Sequence, residues 1–194
     1  FVTHFEVKKN GSTDADLPAN RDVVTAKPAG ATDRIQSHVV EGDFEEVTRV
    51  VKGKPIKEVV VAGGMHTVAS FEKLRGLRPD LAHQMSSETL ANGVVRVKLP
   101  RGVLNHSASQ MIKRSAKKGL GYYDETTGLH GKTLFPKNWT DRDVETAIQH
   151  VAKHGVTEAE KGTSLYRSGT YQGVKIQVII QNGEARTGFP IWEQ

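Results

Sequence analysis

The stretch VKIQVIIQNGEARTGFP, Val174–Pro190, decides the class of fold. Its centre, Asn182-Gly183, lies between a run of β-branched residues and a second extended run, the strongest short-range hairpin signal. Upstream, SLYRSGTY (Ser164–Tyr171) is separated from VKIQVII by Gln172-Gly173, so the last third reads as an antiparallel meander. Ahead of it, Thr140 precedes DRDVETAIQHVAKHG. Thr140 can cap the amide three residues on, and Asp141 and Asp143 place negative charge at the positive end of a helix. Val144, Ala147, Ile148, Val151 and Ala152 form one apolar face, and Gly155 is a C-terminal stop. A helix on an antiparallel meander makes the class α+β.

Further upstream, GVVRVKLPRG (Gly93–Gly102) alternates like a strand and stops at Pro100, and GLHGKTLFP (Gly128–Pro136) reads as another strand. TVASFEKLRGL (Thr67–Leu77) has apolar residues at helical spacing. IKEVVVAGG reads as a buried strand. TDRIQSHVVEGDF (Thr32–Phe44) opens as a short helix with Thr32 as a cap and turns at Glu41-Gly42-Asp43. Residues 1–30 are rich in Gly, Pro, Asp and Asn without periodicity and read as a leader or linker, leaving residues 31–194 as the domain.

The 194 residues suit one domain, and a 37% hydrophobic content supports a packed core. No apolar run is long enough to span a membrane as a helix. The absence of cysteine excludes disulfides, thiolate metal sites and cysteine nucleophiles together. The net charge is +5, but it is unevenly spread. Between Val95 and Thr140 nine basic residues stand against Asp124 and Glu125. Such a patch is the footprint of a polyanion binder or, equally, a solvated lysine-rich surface.

Of eight histidines, His150 and His154 are spaced i, i+4 but lack the acidic partner of a metalloprotease helix. They read as solvated residues at a helix end. No P-loop, nucleophile elbow or carboxylate cluster is present. Metal-free cleavage of RNA remains open. There the 2′-hydroxyl is an internal nucleophile, and the site needs a base, an acid and a cation. Two histidines can serve as base and acid near neutral pH, and a lysine can hold the charge that develops on phosphorus. Spacing alone does not select them, and a single histidine after a strand is more often structural.

Four segments read together narrow the choice. HVVEGDF (His38–Phe44) is followed by GGMH (Gly63–His66), then GKTLFPKNW (Gly131–Trp139), then the terminal hairpin ending TGFP. In this order they resemble the EndoU endoribonuclease family, bacterial branch, over about residues 32–190. The coronavirus uridylate-specific endoribonuclease subunit carries a similar histidine pair with fewer residues between. The resemblance implies an EndoU-like (barnase/EndoU/colicin/RelE-type) fold: two antiparallel sheets, flanking helices and a cleft between the halves. It implies His66 as the base, His38 as the acid, Lys132 as the cation and Thr187 as a contact to phosphate or base. Gly63, Gly64, Thr133 and Phe189 would line the substrate, the two glycines letting substrate or backbone come close to His66. Phe189 stands where the family has tyrosine, so uridine preference does not carry over. Residues 45–57 read as an inserted excursion.

The resemblance also implies a setting: the C-terminal toxin of a large secreted surface protein in a contact-dependent growth inhibition system, with a chain cut from a longer polypeptide. It would act in the target-cell cytoplasm on RNA, tRNA above all, and be neutralised by a cognate immunity protein. The expected products are 2′,3′-cyclic phosphate and 5′-hydroxyl ends. No cofactor or metal ligand is called for, and manganese stimulation is left open. The alternative is a non-catalytic RNA-binding module on the same fold.

Overall fold

The computed structural model describes residues 33–194; the expected leader and the cap at Thr32 lie outside the described residues. The described residues open with α1 (Ile35–Glu41), wound as a π-helix, and a ribbon of β1 (Asp43–Val51) and β2 (Lys54–Gly63). Then come α2 (Val68–Leu77), β3 (Ser86–Thr89), β4 (Val95–Leu99), α3 (His106–Ala116), β5 (Tyr122–Tyr123) and β6 (His130–Leu134). The last part is α4 (Asp141–His154), β7 (Val156–Lys161), β8 (Ser164–Tyr171), β9 (Val174–Gln181) and β10 (Glu184–Pro190). One four-stranded sheet runs β3-β4-β6-β5 and the other β10-β9-β8-β7, every neighbouring pair antiparallel. The α+β class stands.

Each sheet has its own core. Val144, Ala147, Ile148 and Val151 of α4 pack on Val174, Ile176, Val178 and Ile180 of β9, and Ile35 and Val39 of α1 join them. Phe71 and Leu74 of α2 pack with Val95, Val97, Leu99 and Leu134 of the other sheet. Sequence dictates α4 closely. Thr140 accepts from the Asp143 amide, and Asp143 returns a bond to the Thr140 amide at 2.7 Å, a full capping box. The helix stops at Gly155 as expected.

The turns follow the same logic. Asn182-Gly183, Gln172-Gly173 and Lys52-Gly53 all pair two positive φ values, the geometry of two-residue hairpins. The third of these turns gives residues 45–57, read as an excursion, their form. They are a paired ribbon, with Lys57 to Glu46 (2.7 Å) and Arg49 to Glu58 (3.1 Å) across its surface. The expected buried strand is buried only at its far end, at Val60, Val61 and Gly63, because the rest of the ribbon stands clear of both cores.

One irregularity in β10 positions the site. Ala185 pairs with Ile180 and Thr187 with Ile179, so Arg186 is an extra residue. A bulge of this kind reverses which face later residues occupy. Ala185 faces the α4 core, as does Gly188, whose Cα lies against Ile148. Thr187 and Phe189 therefore face the opposite side.

Candidate active site

His38 lies on α1 and His66 follows β2, yet their backbones run side by side. The Met65 amide donates to the His38 carbonyl (3.1 Å) and the His66 amide to the Val39 carbonyl (2.8 Å). This close approach requires Gly64. Its φ is +54°, and a Cβ there would sit 1.5 Å from the His38 carbonyl oxygen. A Cβ on Gly63 would press on the His38 ring and the Asp43 carboxylate, each at 3.0 Å. The two glycines were expected to let substrate or backbone come close to His66; at Gly64 it is the His38 backbone that comes close, and at Gly63 the His38 ring and Asp43. Thr67 completes the tie, capping α2 and donating its hydroxyl to the Val40 carbonyl (2.8 Å).

The two rings are held differently. His38 Nδ1 meets the Asp43 carboxylate at 2.5 Å, with 14% of the side chain exposed. Burial pulls the His38 pKa below its ordinary value, and Asp43 opposes that pull. His66 is 8% exposed. Its Nδ1 donates to the Thr133 carbonyl (2.8 Å), and its ring stacks on Phe189 at 5.3 Å and 21°. Burial, then the neighbouring Lys132 charge, hold its pKa well below the ordinary histidine value.

Lys132 comes from β6, where the register to Val97 turns it toward the core side of its sheet. It is buried, and desolvation brings its pKa down to about 8, with Asp43 as the nearby compensating charge. Its charge depresses both histidines, so the three groups share one field. The structure thus brings His38, His66 and Lys132 together at the seam of the two sheets. A neutral imidazole with Nδ1–H occupied leaves Nε2 as an acceptor. A carboxylate behind the other imidazole favours a proton on its outer nitrogen.

The other expected site residues divide. Phe189 packs on His66. Thr187 is half-buried on the same face, and its hydroxyl makes no hydrogen bond among the described residues. Thr133, expected to line the substrate, is buried, donates its hydroxyl to the Pro190 carbonyl and holds His66 through its own carbonyl, so its contacts here are structural. Asp43 is the functional side chain that sequence reasoning passed over. It lay inside the quoted HVVEGDF motif, where Gly-Asp reads as a turn.

An open groove of about 450 Å³ is lined by Arg101, His106, Ser109, Lys113, Tyr123 and His130, and by none of the trio. His130 is two residues along β6 from Lys132, on the same face. Lys113 sits over the Tyr123 ring at 4.5 Å, so part of the basic excess of residues 95–140 is gathered here. Among the described residues no group of three or more His, Asp or Glu side chains is arranged to hold a metal, and His150 and His154 lie exposed at the end of α4. No helix among the described residues is long and apolar enough to cross a membrane.

The sequence profile of the bacterial EndoU nuclease family matches residues 32–192, most of the chain. The chain belongs to that family. It is a nuclease of α+β fold. No curated protein and no solved structure matches it.

Proposed function

We propose that this EndoU domain is a metal-independent endoribonuclease toxin. The observation that carries the reading is the convergence of His38, His66 and Lys132, held by backbone contacts that only glycine at position 64 permits. His66 Nε2 takes the proton of a 2′-hydroxyl, because its ring is neutral and its Nδ1–H is committed to Thr133. The freed 2′-oxygen attacks the adjacent phosphorus. The bond to the 5′-oxygen breaks, and His38, backed by Asp43, gives that oxygen a proton. Lys132 holds the charge on the non-bridging oxygens. The products are a 2′,3′-cyclic phosphate and a 5′-hydroxyl.

The basic groove that reaches His130, two residues along β6 from Lys132, is suited to the flanking RNA backbone. A structured RNA such as tRNA presents unpaired loop nucleotides whose bases can splay into such a site. In this reading the domain is delivered as the C-terminal part of a larger secreted surface toxin, acts in a recipient cytoplasm, and is blocked by an immunity protein that covers the basic groove.

The test is to incubate the protein with total RNA in EDTA and map the new ends. New 2′,3′-cyclic phosphate ends are expected, concentrated in tRNA. Placing a 2′-deoxynucleotide at the cleaved position should stop the reaction. Cleavage that survives this change, or that EDTA abolishes, is incompatible with the reading.

A further inference from the structure

The face of the β7–β10 sheet turned away from α4 is not packed as a core. Tyr166, Ser168, Ile179, Thr187 and Phe189 on it are only half-buried. One row crosses three strands: Phe189 pairs with Gln177, and Gln177 pairs with Ser168. The row begins at the ring that stacks on His66.

Its polar members lack partners. Gln177 is 5% exposed, and its carboxamide makes no hydrogen bond among the described residues. The Ser168 hydroxyl is buried and unpartnered, and so is Nε of Arg186 at the bulge. Buried polar groups are nearly always hydrogen-bonded, so an orphan calls for a partner from outside the chain, a water or a ligand. The Ser168 hydroxyl and the Gln177 carboxamide share the row that begins at Phe189, so one ligand there can meet both. An apolar residue at 177 would serve a structural role better.

We propose that Gln177, with Ser168 beside it, reads the pairing edge of the nucleobase whose 2′-hydroxyl is activated. This rests on the ribonuclease reading above and adds a specificity determinant to it. Neighbouring strands are about 4.8 Å apart, so a base lying against Phe189 has its edge within reach of position 177. A carboxamide presents a donor and an acceptor side by side. Every nucleobase offers adjacent donor and acceptor groups on its pairing edge, in a different arrangement for each. The orientation of the base against Phe189 then decides which arrangement matches.

Four DNA oligonucleotides, each with one ribonucleotide (A, C, G or U) at the cleavage position, test this through their relative kcat/KM values. The wild type is expected to favour one base. Gln177→Met, similar in size but without the amide, should flatten that preference by about tenfold, the usual size of a bidentate base contact. Gln177→Glu should change which base is favoured, because a donor becomes an acceptor. Ser168→Ala, a change of one atom, should shift the ratios by about threefold and carries the test if Gln177→Met does not fold. Equal cleavage of all four by the wild type, or wild-type ratios in folded variants, overturns the assignment and leaves the ribonuclease reading intact. Failure to cleave any of the four, or total RNA, overturns the ribonuclease reading and this assignment with it.

Discussion

The segments around His38 and His66 run side by side but hold their rings by different means. His38 leans on a carboxylate at the root of an exposed ribbon and stays partly open to solvent. His66 leans on a backbone carbonyl, is buried, and is covered by Phe189. The Thr133 carbonyl fixes the tautomer and favours charge too weakly to offset burial and Lys132 at His66, whereas at His38 a full carboxylate opposes the burial. The contrast teaches how one fold can assign base and acid roles to two identical side chains.

The largest break in that contrast is His66→Ala. RNA cleavage should fall by about 100- to 10,000-fold while circular dichroism stays native. Next is Gly64→Ala, which drives a Cβ into the His38 carbonyl and should cost more than about 3 kcal/mol in a denaturant titration. A stable, active Gly64→Ala variant would contradict the described backbone pairing.

Lys132→Met should reduce cleavage by about 100- to 1,000-fold. The same change should raise the melting temperature at pH 7. The folded pKa of about 8 lies below the unfolded value, so burying the charged lysine opposes folding there. In the wild type this predicts stability that rises with pH through about 8 and levels off near the ordinary lysine value. Scanning calorimetry of both proteins from pH 7 to 10 reads this directly. The variant should lack the rise.

Asp43→Asn should be milder, about tenfold in kcat/KM, and it sharpens the comparison through pH. On the proposed roles, wild-type kcat/KM requires neutral His66 and protonated His38, both with lowered pKa values, so it should peak below pH 6.5. A steeper fall should begin near pH 8 as Lys132 loses its proton. Asp43 supports the protonated forms of both His38 and Lys132. Its loss should move both descending limbs to lower pH and leave the His66 limb in place.

Much of this was legible in the residues because local chemistry and final structure agree. Thr140 and Asp143 announce α4, and Asn182-Gly183 announces the β9–β10 hairpin. The order of HVVEGDF, GGMH and GKTLFP pointed to His38, His66 and Lys132 before any geometry was known. The ribbon was not legible. Of DFEEVTRVV only Phe44 packs against a core, so no alternation of apolar and polar residues marks it as a strand. α3 was missed because only Ala108 is buried on it. Gln177 reads from sequence as an outward polar position, and only the pairing of three strands places it beside Phe189. The roles of Thr133 and Asp43 depend on contacts between distant segments that spacing does not encode.

Thr133 has a kinetic consequence. Through its carbonyl it holds residue 66, through its hydroxyl it holds residue 190, and it follows Lys132 directly. These ties span more than half of the chain, and closing such loops comes at the expense of entropy that local helices do not face. No early-folding fragment contains the assembled centre. During refolding from denaturant, helical signal should return before RNA cleavage does. The chain would then remain harmless while unfolded, and its activity would begin only when the two sheets dock.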